Sequence, residues 1–228
     1  MRSADALEAF ERLAHHPAIV TIDLHRGHLD PEVATLPLPA DHSAALVERC
    51  RDFLDASRGL HVPIIHVITA YRTRSEILSN PFWAFQADRS GSTRAKIAEH
   101  NLEGMPGLEL MPGLAGDGDI FVTTKKRYDC FVGTDLEFIL RSGSHDAIIL
   151  LGVNTNSCVI ATGVAASVRD FSVFVLDEGV DSMMGPELDA AARRVIDASF
   201  GWLIGAEDAL NGLDALSAGA AGQGPKYE

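Results

Sequence analysis

The 228-residue sequence predicts an α/β fold, a six-stranded and mostly parallel sheet with helices on both faces. Three observations carry this reading. Short β-branched apolar runs alternate with longer stretches of helical periodicity, the pattern of repeated strand–helix units. Four of the runs show little polar alternation, as expected of strands covered on both faces. The connections are mostly short, which implies right-handed crossovers and parallel neighbours.

Taken in order, the chain opens with MRSADALEAFERLAHH, a polar amphipathic helix without the apolar centre of a signal peptide. The first strand is read at 17–24 (PAIVTIDL), and a helix follows at 40–58, introduced by Pro39 and Asp41. The second strand is read at 62–69 (VPIIHVIT). Residues 70–117 then break the rhythm with Gly, Pro, Asn and aromatic residues (NPFWAF, SGSTR, EGMPGLELMPGL). So long a connection in a compact domain is expected to be a lid or binding loop. A third strand at 119–124 (DIFVTT) leads to a helix at 134–142, with Thr134 as its N-cap. A fourth at 147–153 (AIILLGV) leads to a helix at 157–169, and a fifth at 172–176 (SVFVL) to one at 186–199 that starts on Pro186. The sixth and weakest strand is 201–205 (GWLIG). Residues 1–214 are expected to form one domain, and 215–228 (ALSAGAAGQGPKYE) a flexible C-terminal tail.

Composition bounds the function. Hydrophobic residues make up 46 % of the chain and charged residues 22 %, which suits an ordinary globular core. A net charge of −13 argues against nucleic acid or an anionic membrane as partner, since both need clustered Lys and Arg. Apolar runs such as 146–153 are too short to span a bilayer. Cys50, Cys130 and Cys158 show neither CxxC spacing nor an even-numbered framework, so a reducing, cytoplasmic setting is expected.

In an open parallel sheet, ligands bind beyond the carboxyl ends of the strands. The first strand ends in Asp23-Leu24-His25, the third in Lys125-Lys126-Arg127-Tyr128, and the fourth in the run Gly152 to Cys158. Cys158 follows a strand-to-helix turn, where free N–H groups and the helix dipole lower a thiol pKa and can hold an oxyanion. The alternative for any free cysteine is simple burial. Asp23 either takes the thiol proton or caps a turn. Lys125 and Lys126 point to opposite faces of a strand, so only one can face the thiol.

The segments I-x-DLHRG, K-x-RYDCFVGTDL and GVNTNSCV, in this order, resemble the isochorismatase-like cysteine hydrolase superfamily. That group includes nicotinamidases, N-carbamoylsarcosine amidohydrolases, ureidoacrylate amidohydrolases and biuret hydrolases. The resemblance runs from about residue 17 to 182 and implies a three-layer α/β/α sandwich with strand order 3-2-1-4-5-6. It implies a catalytic Asp23, Lys125 and Cys158, with Lys125 rather than Lys126 chosen by the K-x-R-Y spacing. It further implies a cis peptide bond at Val153–Asn154, with the N–H groups of Asn154 and Cys158 as an oxyanion hole. The expected activity is hydrolysis of a C–N bond in a small amide or ureide through a thioester, by a homo-oligomer (dimer or tetramer) without a cofactor; the alternatives are a nicotinamidase-like amidase of an aromatic amide and a non-catalytic small-molecule binding protein on the same scaffold.

Departures from the pattern sharpen the expectation. His25 stands where the family often has Gln, which places an imidazole near the pocket. The Asp-x-His metal motif of nicotinamidases is missing from TAYRTRSEIL after the second strand, so no metal is expected. Arg72 is a candidate for binding a substrate carboxylate. Phe82, Trp83 and Phe85 are candidates for a pocket wall or a subunit interface, and Tyr128 is a candidate substrate contact. His66 reads as a core histidine, Cys130 as packing, Arg74 as a solvated loop residue, and Arg127 as paired with an acidic neighbour.

Overall fold

The computed structural model describes residues 3–221. Helix α1 (Ser3–Leu13) precedes β1 (Pro17–Ile22), which is followed by the short turn α2 (Arg26–Leu29) and the long α3 (Ala40–Gly59). Next come β2 (Ile64–Thr69), two short helices α4 (Arg74–Leu78) and α5 (Pro81–Gln86), and β3 (Ile120–Lys125). Three strand–helix units complete the fold. They are α6 (Leu136–Ser142) after β3, β4 (Ala147–Val153) with α7 (Ile160–Ser167), and β5 (Ser172–Asp181) with α8 (Pro186–Ser199). The edge strand β6 (Trp202–Ile204) and α9 (Ala206–Ala221) follow.

The six strands form one sheet in the order β3-β2-β1-β4-β5-β6, and every neighbouring pair is parallel. The expected fold and strand order are both observed. Because side chains alternate along a strand, β1 sends Ile19 into the core under α1, α3 and α9. Its Ala18, Val20 and Ile22 enter the opposite core, under α6, α7 and α8. All six β1 residues are therefore buried, which is why the run carries no polar alternation. Among the described residues, no helix is long and apolar enough to cross a membrane.

Two stretches differ from the sequence reading. The interval after β2 is not bare loop: it holds α4, α5 and two single 3₁₀ turns at Ile97–Glu99 and Pro106–Leu108. These pack on a small cluster of Leu36, Tyr71, Ile77, Trp83 and Ile97. At the other end, α9 is helical as far as Ala221, where a tail was expected from 215. The remainder of that tail, 222–228, lies outside the described residues. Thr134 does act at the start of α6, accepting the Leu136 N–H at 3.2 Å, although Asp135 holds the capping position.

Candidate active site

Asp23 follows the last residue of β1 with φ of 54°, the left-handed region that Asp tolerates better than most residues. Its N–H donates to the Val67 carbonyl at 2.9 Å, so β2 fixes where the side chain starts. The carboxylate is 1 % exposed and accepts the Thr69 N–H at 2.8 Å on Oδ1. On Oδ2 it accepts Lys125 Nζ at 2.5 Å. The same ammonium reaches Thr69 Oγ1 at 2.5 Å and Cys158 Sγ at 3.4 Å. An ammonium has three N–H donors, and here each has a buried partner.

Lys125 owes its direction to a β-bulge. Val67 pairs with Val122, but Thr69 pairs with Lys125, so β3 carries one extra residue between these points. Strict alternation would have put Thr124 beside Thr69. A bulge re-aims the side chain that follows it. Lys126 instead donates to the Ala70 carbonyl and lies 3.7 Å from Glu76.

Cys158 is brought to Asp23 by a close approach of β4 to β1. Gly152 has φ of 122°, and a Cβ there would stand 2.0 Å from the Ile22 carbonyl oxygen. Only glycine lets β4 pass so near the residue that precedes Asp23. The Val153–Asn154 peptide is cis, as the resemblance implied. A π-helical turn, Thr155–Val159, carries Cys158 before α7 begins. The Asn154 side chain accepts the Met183 N–H at 2.8 Å, which ties the segment after β5 to the same edge.

The charges are strongly coupled. Burial works to raise the Asp23 pKa, but Lys125 and His25 outweigh it and hold the carboxyl well below its usual range. Burial works equally against the charged Lys125, yet Asp23 and Cys158 keep the ammonium well above its usual value. Burial pushes the Cys158 thiol up to about 11, with Lys125 opposing and Asp23 assisting that rise. The expectation of a thiol activated by a helix N-terminus is therefore corrected. Desolvation is the largest influence on the thiol, and α7 starts two residues beyond it.

A pocket opens on this group, with Asp23, Lys125, Asn154 and Cys158 at its base. Trp83 and Tyr128 form part of the wall, joined by a Trp83 Nε1 to Tyr128 Oη hydrogen bond of 3.0 Å. The family model for the isochorismatase domain matches residues 17–208. The chain belongs to the isochorismatase family.

Among curated relatives of this family, an uncharacterised isochorismatase family protein of Bacillus subtilis is 26 % identical over 178 residues, 78 % of this chain and 84 % of that protein. A ureidoacrylate amidohydrolase of Methylorubrum extorquens is 34 % identical over 86 residues, 38 % of this chain and 34 % of that enzyme. A cysteine hydrolase from Pseudomonas syringae has the same fold, with a TM-score of 0.73 and 19 % identity over 89 % of this chain and 94 % of that one. N-carbamoylsarcosine amidase from Thermoplasma acidophilum gives 0.64 and 22 %, over 84 % and 96 %.

The structure thus brings Asp23, Lys125, Cys158, Asn154, Trp83 and Tyr128 together, but leaves other candidates of this isochorismatase-family chain elsewhere. Arg72 is exposed and ion-paired with Glu76, because the i, i+4 spacing favours that local contact. Phe82 is 55 % exposed and Phe85 65 %, on the outside of α5, while Trp83 alone of that trio lines the pocket. His25 is fully buried behind Asp23, with Nε2 3.5 Å from Oδ1, and does not reach the pocket wall. Among the described residues, Arg127 meets no acid. It donates to the Glu76 and Lys126 carbonyls and to Ser79, and its guanidinium lies over the Trp83 ring. His66 is a core histidine, hydrogen-bonded to Thr21 and Asp119, and Cys130 is buried packing.

Sequence reasoning missed Thr69, His28, His100 and Arg94, all of which line the pocket. Thr69 ends β2 at the carboxyl edge, so the strand-end filter could have found it. His28 and the two residues of the 70–117 interval carried no periodicity or spacing signal.

Proposed function

We propose that this isochorismatase-family hydrolase cleaves a C–N bond of a small amide or ureide, with Cys158 as nucleophile. The observation that carries the reading is the buried Lys125 ammonium, 2.5 Å from Asp23 and 3.4 Å from Cys158 at the base of a pocket. A neutral thiol beside an ionised carboxylate is a nucleophile waiting for its base. Asp23 takes the Sγ proton as sulfur bonds to the substrate carbonyl carbon, and Lys125 balances the negative charge that moves between them. The N–H groups of Asn154 and Cys158 hold the oxyanion. The C–N bond then breaks, and the proton on Asp23 leaves with the nitrogen as ammonia or an amine. Water attacks the thioester, gives its proton to Asp23, and the C–S bond breaks to restore the thiol.

Arg94 and Arg127 also face the pocket, and among the described residues neither forms an ion pair. Unpaired guanidiniums suit a substrate with a carboxylate or several carbonyl oxygens. The names of the ureidoacrylate and N-carbamoylsarcosine relatives support that class. A thiol nucleophile also fits a reducing compartment, the cytoplasm being the one expected.

The test is ammonia release from a panel of ureides, biuret-like compounds and aromatic amides, with intact-mass trapping of the acyl adduct. Cys158→Ala is expected to lower kcat by about 10³-fold or more on any active substrate while leaving the far-UV spectrum unchanged. Substantial turnover by Cys158→Ala, or an active substrate that never acylates Cys158, overturns the reading.

A further inference from the structure

The catalytic scheme leaves one buried group of titratable side chains unused. His25 precedes α2 and His28 lies within it, just after β1, and His100 comes from the interval between β2 and β3, yet their rings stack and tilt against each other. The centroids are 5.0 Å apart for His25–His28, 4.7 Å for His28–His100 and 5.7 Å for His25–His100. One donor nitrogen from each ring lies within 4.8 Å of the other two. All three residues are buried, and His28 and His100 line the same pocket as Cys158.

We propose that His25, His28 and His100 form a binding site for one divalent transition-metal ion, of which zinc fits the donor set best, with its open coordination position toward the Cys158 pocket. Three imidazoles with one position left open are the usual donor set of a reactive rather than a structural zinc site. The orientation of the rings agrees. His28 Nδ1 is 2.8 Å from the Leu36 carbonyl, which can only accept, so this nitrogen carries the proton and Nε2 keeps its lone pair. His100 Nδ1 is hydrogen-bonded to Thr35 Oγ1 at 2.8 Å, a hydroxyl that can accept its proton and leave Nε2 free. His25 is gripped by the Asn101 amide, 2.7 Å from Nε2, and has Asp23 behind it. A carbonyl behind His28 and a hydroxyl behind His100 are outer-shell partners of the kind that metal-binding histidines normally have.

Donors around a tetrahedral zinc at ~2.0–2.1 Å stand about 3.4 Å apart, so the rings need only close by roughly an ångström. The missing Asp-x-His motif, which led to the expectation of no metal, concerns the segment after β2 and says nothing of these residues. The bland alternative is that three neutral rings merely fill space behind Asp23.

The two are separated by metal binding itself, with no turnover in the readout. The full chain is stripped with a chelator and titrated with Zn²⁺ and with Co²⁺, as wild type, Cys158→Ala, His28→Gln and His100→Gln. Wild type and Cys158→Ala are expected to retain one equivalent of zinc after desalting, to show the visible bands of tetrahedral or five-coordinate Co²⁺, and to melt at higher temperature with Zn²⁺. The two Gln variants are expected to bind at least ~100-fold more weakly, which is the upper end of the loss seen when only an outer-shell partner is removed. Unchanged binding in both Gln variants, or loss of binding in Cys158→Ala, overturns the assignment. Should a Gln variant fail to fold, the wild type decides alone: no retained zinc, no Co²⁺ bands and no change in melting temperature sinks the proposal. Because Cys158→Ala serves in both experiments with different readouts, failure of the metal site and failure of the nucleophile are told apart.

Discussion

Lys125 and Lys126 are chemically identical neighbours with opposite surroundings. Lys125 is 1 % exposed, with Asp23, Thr69 and Cys158 around its ammonium. Lys126 is partly exposed on a backbone carbonyl, near Glu76. Removing Lys125 leaves the Asp23 carboxylate buried without its cation, and a proton that was to travel between sulfur and oxygen loses its electrostatic track. Lys125→Ala is therefore expected to cut kcat by about 10²–10⁴-fold, the usual range for losing a proton-transfer partner. Lys126→Ala is expected to stay within about tenfold of wild type. Steady-state rates of both on one substrate check this, and the reverse ranking would mean that the β3 bulge does not aim the lysine as described.

Among elements, the start of β3 is tied to α3 and β2 by one carboxylate. Asp119 accepts Arg58 Nη2 at 2.6 Å, His66 Nε2 at 2.9 Å and the Gly116 N–H at 2.8 Å. Burial works to raise its pKa, but Arg58, His66 and the backbone N–H together leave it lowered. Since the folded value lies below the unfolded one, this contribution is complete above an unfolded pKa of about 3.9 and is lost as pH falls through the folded value. Asp119→Asn is expected to cost about 2–3 kcal/mol at neutral pH, and the gap from wild type should shrink below about pH 4. Urea unfolding of both proteins at pH 7 and pH 3 measures it; a gap that is the same at both values would show that Asp119 acts through shape rather than charge.

At the scale of the whole molecule, several apolar side chains are left in water on the α6–α7 side. Phe138 is 75 % exposed and Val168 73 %, and the Glu137–Arg169 ion pair at 2.9 Å holds the two helices together beside them. Contact with a second copy would remove these two side chains from water. We expect it to be the contact between copies in the homo-oligomer that the family resemblance implies. Phe138→Glu combined with Val168→Glu is expected to lower the molar mass seen by sedimentation or light scattering to that of one chain. An unchanged mass for a folded double variant removes this face from the assembly.

The fold was legible because strands buried on both faces must be continuously apolar, and 17–22, 64–69 and 147–153 can bury nowhere else. Asp23, Lys125, Asn154 and Cys158 were legible because a parallel sheet gathers its strand ends at one edge, and the resemblance chose among them. Phe82 was misplaced because spacing along a chain does not say which side of a short helix faces inward, and Arg72 because it does not show that Glu76 takes its guanidinium. Thr69 could have been found by the same strand-end reasoning, but a threonine ending a strand looks like any other. Tertiary structure alone decided that burial pushes the Cys158 thiol up, since desolvation depends on everything packed around it. It alone brought His100 from the lid to His25 and His28. Sequence determines which residues occupy a strand or turn, whereas a contact between 28 and 100 exists only once the chain has folded back on itself.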